Sequence, residues 1–163
     1  MTKFPSLPFF FSVLLALTVA STDVSAESFP PIKNSVVKTE CGECHMAFFA
    51  EMLPRKSWLK ILNNLTDHYG EDASVDPDLL KDIITHHITR ASDVLNTRGA
   101  RKWREGIDRT KGEAPERITT APRYIRKHDD DDFKEMWEKY NVTSKADCVA
   151  CHKDADKGLF DDD

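Results

Sequence analysis

Apolar residues recur along the chain at spacings that predict short amphipathic helices joined by long polar connections. From Arg55 onward the apolar positions lie three or four residues apart on one helical face, at Trp58, Ile61, Leu62 and Leu65. His68 follows on that face. A second helix is predicted to begin with Asp76 and Pro77, a capping residue before a first-turn proline, and to end near Asn96.

The second half of the chain has a weaker pattern. Residues 98–127 hold ten Lys or Arg interrupted by glycines and prolines, which predicts a wrapping loop with short turns. Within it, Pro122 can open a short helix whose inner face would carry Tyr124, Ile125 and His128. A further amphipathic helix follows an acidic run, with its apolar face at Phe133, Met136, Trp137 and Tyr140.

The two ends of the chain show no helical periodicity. Residues 27–38 include two prolines and predict an extended arm, whereas residues 153–163 are polar and acidic and predict a disordered tail. The pattern as a whole predicts an all-α fold with four or five short helices and long connections. We found no internal repeat longer than the short motif described next.

That motif is Cys-x-x-Cys-His, and it occurs at residues 41–45 and 148–152, where it accounts for all four cysteines. It is the attachment pattern of a c-type haem, because two thiols must reach the two vinyl groups while the adjacent imidazole binds the iron from one face. One helical turn brings positions i, i+3 and i+4 to the same side. A capping pattern at residues 144–147 predicts such a helix for the second motif.

Other uses of paired cysteines fit the sequence less well. A thioredoxin-like dithiol would lie in a strand–helix–strand pattern, and the chain has no strand-rich segment. A zinc site of four thiolates does not require a histidine after each pair. A disulfide framework is the third alternative. Two covalent c-type haems, joined through Cys41, Cys44, Cys148 and Cys151, are therefore predicted to form a large part of the core. Without them we expect little stable tertiary structure.

His45 and His152 are the predicted proximal iron ligands, and each iron needs a second axial ligand. His68 and His128 are the favoured distal ligands, because both lie on predicted apolar faces. His87 is the alternative and is more typical of a core histidine.

Further alternatives concern the remaining side chains and the pairing. His86 is predicted to be solvated. Met46, Met52 and Met136 are weaker alternatives, since Met46 adjoins a proximal histidine, Met52 has a short reach and Met136 is expected in the core. Crossed pairing, with each distal histidine over the other haem, also remains open.

The N-terminal segment predicts that the protein is exported from the cytoplasm. Lys3 precedes an apolar run at residues 7–20, which is shorter than a comfortable membrane span, and Val24-Ser25-Ala26 offers a small-residue cleavage site. This is typical of a signal peptide removed after Ala26, and an uncleaved anchor is the alternative. Residues 27–152 would then form the dihaem domain, with lobes at about residues 39–96 and 97–152 and a tail at residues 153–163.

Around these residues the chain resembles the small periplasmic dihaem cytochromes c of bacteria. The similar stretches comprise both haem motifs and three intervening segments, at residues 40–47, 53–58, 67–74, 117–122 with 125–128, and 148–152. The resemblance implies bis-histidine ligation with distal ligands His68 and His128. It also implies electron delivery to a small oxygen-binding monohaem cytochrome c, often from a membrane b-type cytochrome. The chain departs from the family pattern at His86 and His87, where apolar or aromatic residues are expected.

The net charge and its distribution along the chain indicate which kinds of partner the protein can bind. The formal net charge of −5 argues against a direct nucleic-acid role. Residues 98–127 carry ten basic residues and four acids, a formal +6, whereas residues 129–163 carry five Lys and twelve acids, a formal −7. Such asymmetry could orient a charged redox partner. We therefore expect a periplasmic electron carrier, and the alternative is a small peroxidase-like or oxygen-reducing dihaem enzyme with one labile iron.

Overall fold

The computed structural model describes residues 27–110, 113–129 and 132–160. The predicted leader, residues 1–26, lies outside this range. Within it the chain forms six α-helices and one two-stranded antiparallel sheet. The helices are α1 (Ser35–Glu40), α2 (Arg55–Leu62), α3 (Pro77–Arg90), α4 (Arg98–Thr110), α5 (Pro122–His128) and α6 (Asp132–Lys139). The strands are β1 (Glu27–Ser28) and β2 (Leu159–Phe160). The all-α prediction is confirmed.

Helix α3 begins where the capping signal predicts. The Asp76 carboxylate accepts a hydrogen bond from the backbone N–H of Asp78, and Pro77 occupies the first helical turn. The helix ends at Arg90, because Ala91 is extended with ψ at 161°. The predicted end near Asn96 was therefore about one and a half turns too late.

Helix α2 is shorter than its apolar periodicity predicts. It ends at Leu62, and a separate 3-10 turn at Leu65–Asp67 follows. Two asparagines interrupt it, and the Asn64 side-chain amide donates to the Asp67 carbonyl, an alternative to the helical hydrogen-bond ladder. His68 therefore lies outside the helix, and the prediction that it shares the helical face was wrong.

Residues 98–110 form helix α4, so the prediction of a wrapping loop with short turns was wrong for these residues. The glycines of this helix lie where other parts of the chain pack closely against it, and they do not interrupt the helix. A Cβ on Gly99 would lie 2.7 Å from the Phe29 ring, and one on Gly106 would lie 3.4 Å from the backbone of α5. Trp103, 5% exposed, lies on the same buried side of the helix. Close packing outweighs the low helix propensity of glycine here.

The two chain ends pair with each other instead of extending freely. Strand β1 pairs with β2, with Glu27 opposite Phe160 and Ser28 opposite Leu159. The Phe29 ring stacks on Phe49 at 5.1 Å and meets Phe160 edge to face at 5.7 Å. The predicted disordered tail is therefore wrong for residues 153–160. Residues 35–38, predicted as part of an extended arm, lie in α1.

Two further helical predictions were partly wrong. Helix α5 begins at Pro122 as predicted, but Ile125 is 45% exposed and does not share the inner face with Tyr124. The second motif begins in a 3-10 turn at Cys148–Ala150, not in an α-helix opened by a capping box. Within the residues described, no helix is long and apolar enough to span a membrane.

The buried apolar residues form two clusters on either side of α2. Val37, Leu62 and Ile83 form the smaller cluster, which joins α1, α2 and α3. The larger cluster extends from the sheet through α2 and α4 to α5, with members Phe29, Phe49, Met52, Leu53, Trp58, Ala91, Trp103, Ile118, Ala121 and Tyr124. The first motif borders the smaller cluster and α5 belongs to the larger one.

Candidate haem-attachment sites

The first Cys-x-x-Cys-His motif begins where α1 ends. The Cys41 backbone N–H donates to the Val37 carbonyl at 3.1 Å, the final bond of the helix, and Gly42 continues the turn. A Cβ on Gly42 would collide with the Lys38 carbonyl oxygen. Glycine at this position of the motif therefore permits the tight turn that follows the helix.

The second motif is a single helical turn. The His152 backbone N–H donates to the Cys148 carbonyl at 2.8 Å, and that of Cys151 donates to the same carbonyl at 3.3 Å. Positions i, i+3 and i+4 thus lie on one side, as haem attachment requires.

The surroundings of the cysteines bear on the alternatives to haem attachment. No two of the four cysteines are joined by a disulfide, so the structure gives no support to a disulfide framework. Burial, together with the neighbouring carboxylates of Glu40 and Asp147, raises the pKa of both Cys41 and Cys148 to about 11. A redox-active dithiol would instead need a thiolate with a depressed pKa. The surroundings of Cys41 and Cys148 therefore do not favour a redox-active dithiol.

The structure places His45 opposite His68. Their ring centroids are 6.3 Å apart and their planes differ by 28°. The His45 Nδ1–H donates to the Met46 carbonyl at 2.8 Å, which leaves Nε2 to bind a metal. His68 is held by a short backbone bridge, in which its N–H donates to the Glu71 carbonyl at 2.7 Å. Burial and the adjacent His45 lower the pKa of His68, which favours its neutral form.

The structure also places His128 opposite His152, with ring centroids 6.2 Å apart and planes at 90°. His128 is the last residue of α5, and its Nδ1–H donates to the Tyr124 carbonyl one turn earlier, at 2.9 Å. The Tyr124 ring stacks on the imidazole at 4.1 Å, and Phe133 meets its edge at 4.8 Å. Burial and the adjoining Cys148 and Cys151 raise the pKa of the Tyr124 phenol to about 12.

Both imidazole pairs fit an iron between them. An imidazole nitrogen binds a metal at about 2 Å, and the ring centroid lies about 1.2 Å behind that nitrogen, so two trans imidazoles should have centroids about 6.4 Å apart. The observed separations are 6.3 Å and 6.2 Å. The same geometry places His68 beside His45 and His128 beside His152, which gives no support to crossed pairing.

The remaining histidines lie in the core. His87 is 2% exposed, its ring centroid is 4.3 Å from that of Trp58, and its Nδ1–H donates to the Ile83 carbonyl at 2.8 Å. Burial lowers the pKa of His87 to about 4. His86 is 6% exposed, so the prediction that it is solvated was wrong.

The three methionines considered as iron ligands differ in how deeply they are buried. Met52, 2% exposed, belongs to the larger core cluster. Met136 was expected in the core but is 37% exposed on α6. Met46 packs at the edge of the larger cluster.

Several side chains around the imidazoles were missed from the sequence. Tyr124 was recognised only as an inner-face residue, although its position four residues before His128 could have suggested a stacked pair. Beside His68, a cleft of about 310 Å³ is lined by Lys60, Tyr69 and Arg117, among other residues. The Arg117 guanidinium lies 4.3 Å from the Tyr69 ring centroid. An arginine in this position could pair with a haem propionate, but nothing in its local sequence indicates that.

Comparison with known proteins identifies a family and several similar structures. The family model for dihaem cytochrome c matches residues 37–160. A solved diheme cytochrome c from Rhodobacter sphaeroides is 35% identical, with a TM-score of 0.70, and the match covers 81% of this chain and 100% of that one.

A second structure, of DHC purified from Rhodobacter sphaeroides, is 34% identical over 80% of this chain and 99% of that one, with a TM-score of 0.62. A diheme cytochrome type c from Shewanella baltica is 32% identical over 78% and 87%, with a TM-score of 0.61. No curated protein matches at a significant level. With the match spanning both motifs, two covalent c-type haems with their irons are the cofactors of this electron-transfer fold, and the chain belongs to the dihaem cytochrome c family.

Proposed function

We propose that this cytochrome is an electron carrier with two six-coordinate, bis-histidine haems. The observation that carries the proposal is the spacing of the two imidazole pairs, 6.3 Å for His45 with His68 and 6.2 Å for His128 with His152. Each value matches two imidazoles on opposite sides of one iron. The backbone carbonyls that accept from Nδ1 of His45 and His128 fix the tautomer that presents Nε2.

A c-type haem, when bound, supplies a one-electron couple between ferric and ferrous iron. His45 with His68, and His128 with His152, would each hold one iron, which would leave no vacant position for a substrate. Imidazole on both faces also lacks the thioether that raises the potential of His/Met cytochromes, so both potentials should be low. These properties suit electron transfer with little rearrangement and disfavour peroxidase-like or oxygen-reducing chemistry.

The surface of α4 and α5 is the proposed docking face for a redox partner. The two helices pack together, and each leaves basic residues exposed, at Arg98, Arg101, Arg126 and Lys127. Burial lowers the pKa of Lys102, and the nearby charges of Arg123, Arg98 and Lys127 lower it further while Glu27 opposes them, which supports a basic surface here. An acidic partner surface would be steered to this face.

The identities of the partners follow from the family resemblance. The proposed acceptor is a small oxygen-binding monohaem cytochrome c, and the proposed donor is a membrane b-type cytochrome. The proposed location is the periplasm, after removal of a leader at residues 1–26, with residues 27–152 as the dihaem domain. N-terminal sequencing of the exported protein tests the cleavage site after Ala26.

The ligands are tested by single substitutions in the matured holoprotein. His68→Ala and His128→Ala should each convert one haem to a five-coordinate or water-ligated high-spin state, visible in the absorption spectrum. His87→Ala is the matched control, a buried histidine that should leave both haems low-spin. A high-spin signal from His87→Ala, with none from one of the other two, would show that the ligand assignment is wrong.

Carbon monoxide tests the open-site alternative. The reduced wild-type protein should show no spectral change with carbon monoxide, because both axial positions are filled. A large shift would instead support an enzyme or a gas sensor with one labile iron.

A further inference from the structure

The two imidazole pairs differ in one geometric property, the angle between their ring planes. His45 and His68 are nearly parallel, at 28°, whereas His128 and His152 are perpendicular, at 90°. The centroid separations are almost equal, so the two pairs differ in the relative orientation of their ring planes and not in distance. Such a difference in orientation requires different contacts around the rings.

At the second pair, Tyr124 contacts the His128 ring in two ways. Its phenol ring lies parallel to the imidazole, at 17° and 4.1 Å between centroids, and its carbonyl accepts the Nδ1–H at 2.9 Å. Phe133 meets the imidazole edge to face at 4.8 Å and 74°. Because Tyr124 precedes His128 by four residues on α5, both contacts belong to one helical turn. The flat phenol face therefore limits rotation of the ring.

The plane angle matters because each imidazole donates π-electron density to one iron d orbital. Parallel imidazoles raise the energy of the same orbital, which separates two otherwise similar levels and stabilises the ferric state. Perpendicular imidazoles act on different orbitals, which leaves the two levels nearly equal. A bis-histidine ferric haem with parallel rings consequently gives a rhombic electron paramagnetic resonance spectrum, and one with perpendicular rings gives a single signal of large g value. The perpendicular arrangement also has the higher reduction potential.

We propose that Tyr124 is a positioning residue that holds His128 perpendicular to His152 and thereby makes the second haem electronically different from the first. The proposal rests on the ligation by His128 and His152 given under Proposed function. It adds that the difference between the haems comes from a side chain that touches the ligand and not the iron.

The test is the electron paramagnetic resonance spectrum of the oxidised holoprotein. The wild type should show one rhombic signal and one signal of large g value. Tyr124→Phe keeps the flat ring and should keep both signals, whereas Tyr124→Leu removes it and should convert the second signal to a rhombic one. If Tyr124→Leu does not mature, Tyr124→Met tests the same step, because it retains bulk without a flat face.

Reduction potentials give a second readout. Tyr124→Leu should lower the potential of the second haem relative to Tyr124→Phe, since closer alignment of the rings stabilises ferric iron. Both substitutions are neutral, so the acidic charges around α6 are the same in the two proteins. Phe48→Leu is the control at the other centre, because the Phe48 ring stacks on His45 at 4.7 Å. It should leave the signal of large g value unchanged.

Three results would overturn the proposal, and they differ from a failure of the ligation. Retention of the signal of large g value in Tyr124→Leu would show that the phenol ring does not set the angle. Two rhombic signals in the wild type would show that the rings are not perpendicular. Loss of the signal in Phe48→Leu would show that it belongs to the first haem. If His128→Ala leaves both haems low-spin, the ligation itself is wrong.

Discussion

Replacement of His87 by phenylalanine should make the stability of the protein less dependent on pH. The pKa of His87 is lowered by burial from 6.5 to about 4, so the folded protein keeps this ring neutral while the unfolded chain can protonate it. As the pH falls below 6.5 the unfolded state binds a proton that the folded state does not, and stability is lost until the pH approaches the folded-state pKa.

The size of this effect follows from the two pKa values. One pKa unit corresponds to about 1.4 kcal/mol, so the difference between 6.5 and about 4 amounts to roughly 3 kcal/mol when the unfolded chain is fully protonated. Roughly 2 kcal/mol of this should be lost between about pH 7.5 and about pH 5. His86, also buried and with a lowered pKa, adds a loss of the same sign. The comparison with a His87 variant isolates the contribution of His87.

The assay is guanidinium unfolding of the holoprotein at both pH values, followed by circular dichroism. Wild type should lose about 2 kcal/mol more than His87→Phe on acidification. His87→Gln serves as a second non-titrating variant, because it is smaller than phenylalanine and does not overpack against Trp58. Only the change with pH is compared, so a constant packing cost in either variant cancels. Equal losses in wild type and both variants would refute the argument.

Three further substitutions test other parts of the packing. Glu51→Gln should stabilise the protein by about 1 kcal/mol at neutral pH and by less at acidic pH, as measured by urea unfolding at two pH values. The reason is that burial raises the pKa of this 4% exposed carboxyl group, so its ionisation favours the unfolded chain. Glu27→Ala should cost about 3 kcal/mol in chemical unfolding, since it leaves the largely buried Arg123 without its ion-pair partner, and adding Arg123→Met should restore part of the loss. Gly158→Ala should lower the melting temperature more than Gly70→Ala: both glycines have positive φ, but a Cβ meets backbone only at Gly158.

The sequence predicted the proximal half of each site because that half is local. Two thiols and an imidazole within five residues specify one turn and one iron ligand, as the turn at residues 148–152 illustrates. The distal half depends on contacts between distant segments. His68 was selected for a helical face that does not exist, and the structure places it opposite His45 through a non-helical backbone bridge. The sequence therefore suggested His68 on the basis of a helical face that the fold does not contain.

The errors in the fold have a common physical origin. Gly99 and Gly106 lower helix propensity, and only the nearby Phe29 ring and the α5 backbone explain why a helix forms around them. Strand β1 is two residues long and its partner lies at the other end of the chain, so no local signal could indicate the pairing. The prediction that His86 is solvated was wrong for a similar reason, because the burial of His86 depends on how α3 packs against the rest of the chain.

The two proposed distal ligands, His68 and His128, lie in different kinds of local structure, which affects how each proposed centre would open. His128 ends a helix, and Tyr124 restrains its ring through both a carbonyl and a phenol. His68 lies in a bridge closed by backbone bonds to Glu71, followed by Tyr69 with φ at 59° and 47% exposed. Irregular segments with few buried contacts open at lower free energy than packed helices. If His68 and His128 are the distal ligands, the first centre should therefore depend more on local order than the second, and destabilising conditions should detach His68 before His128.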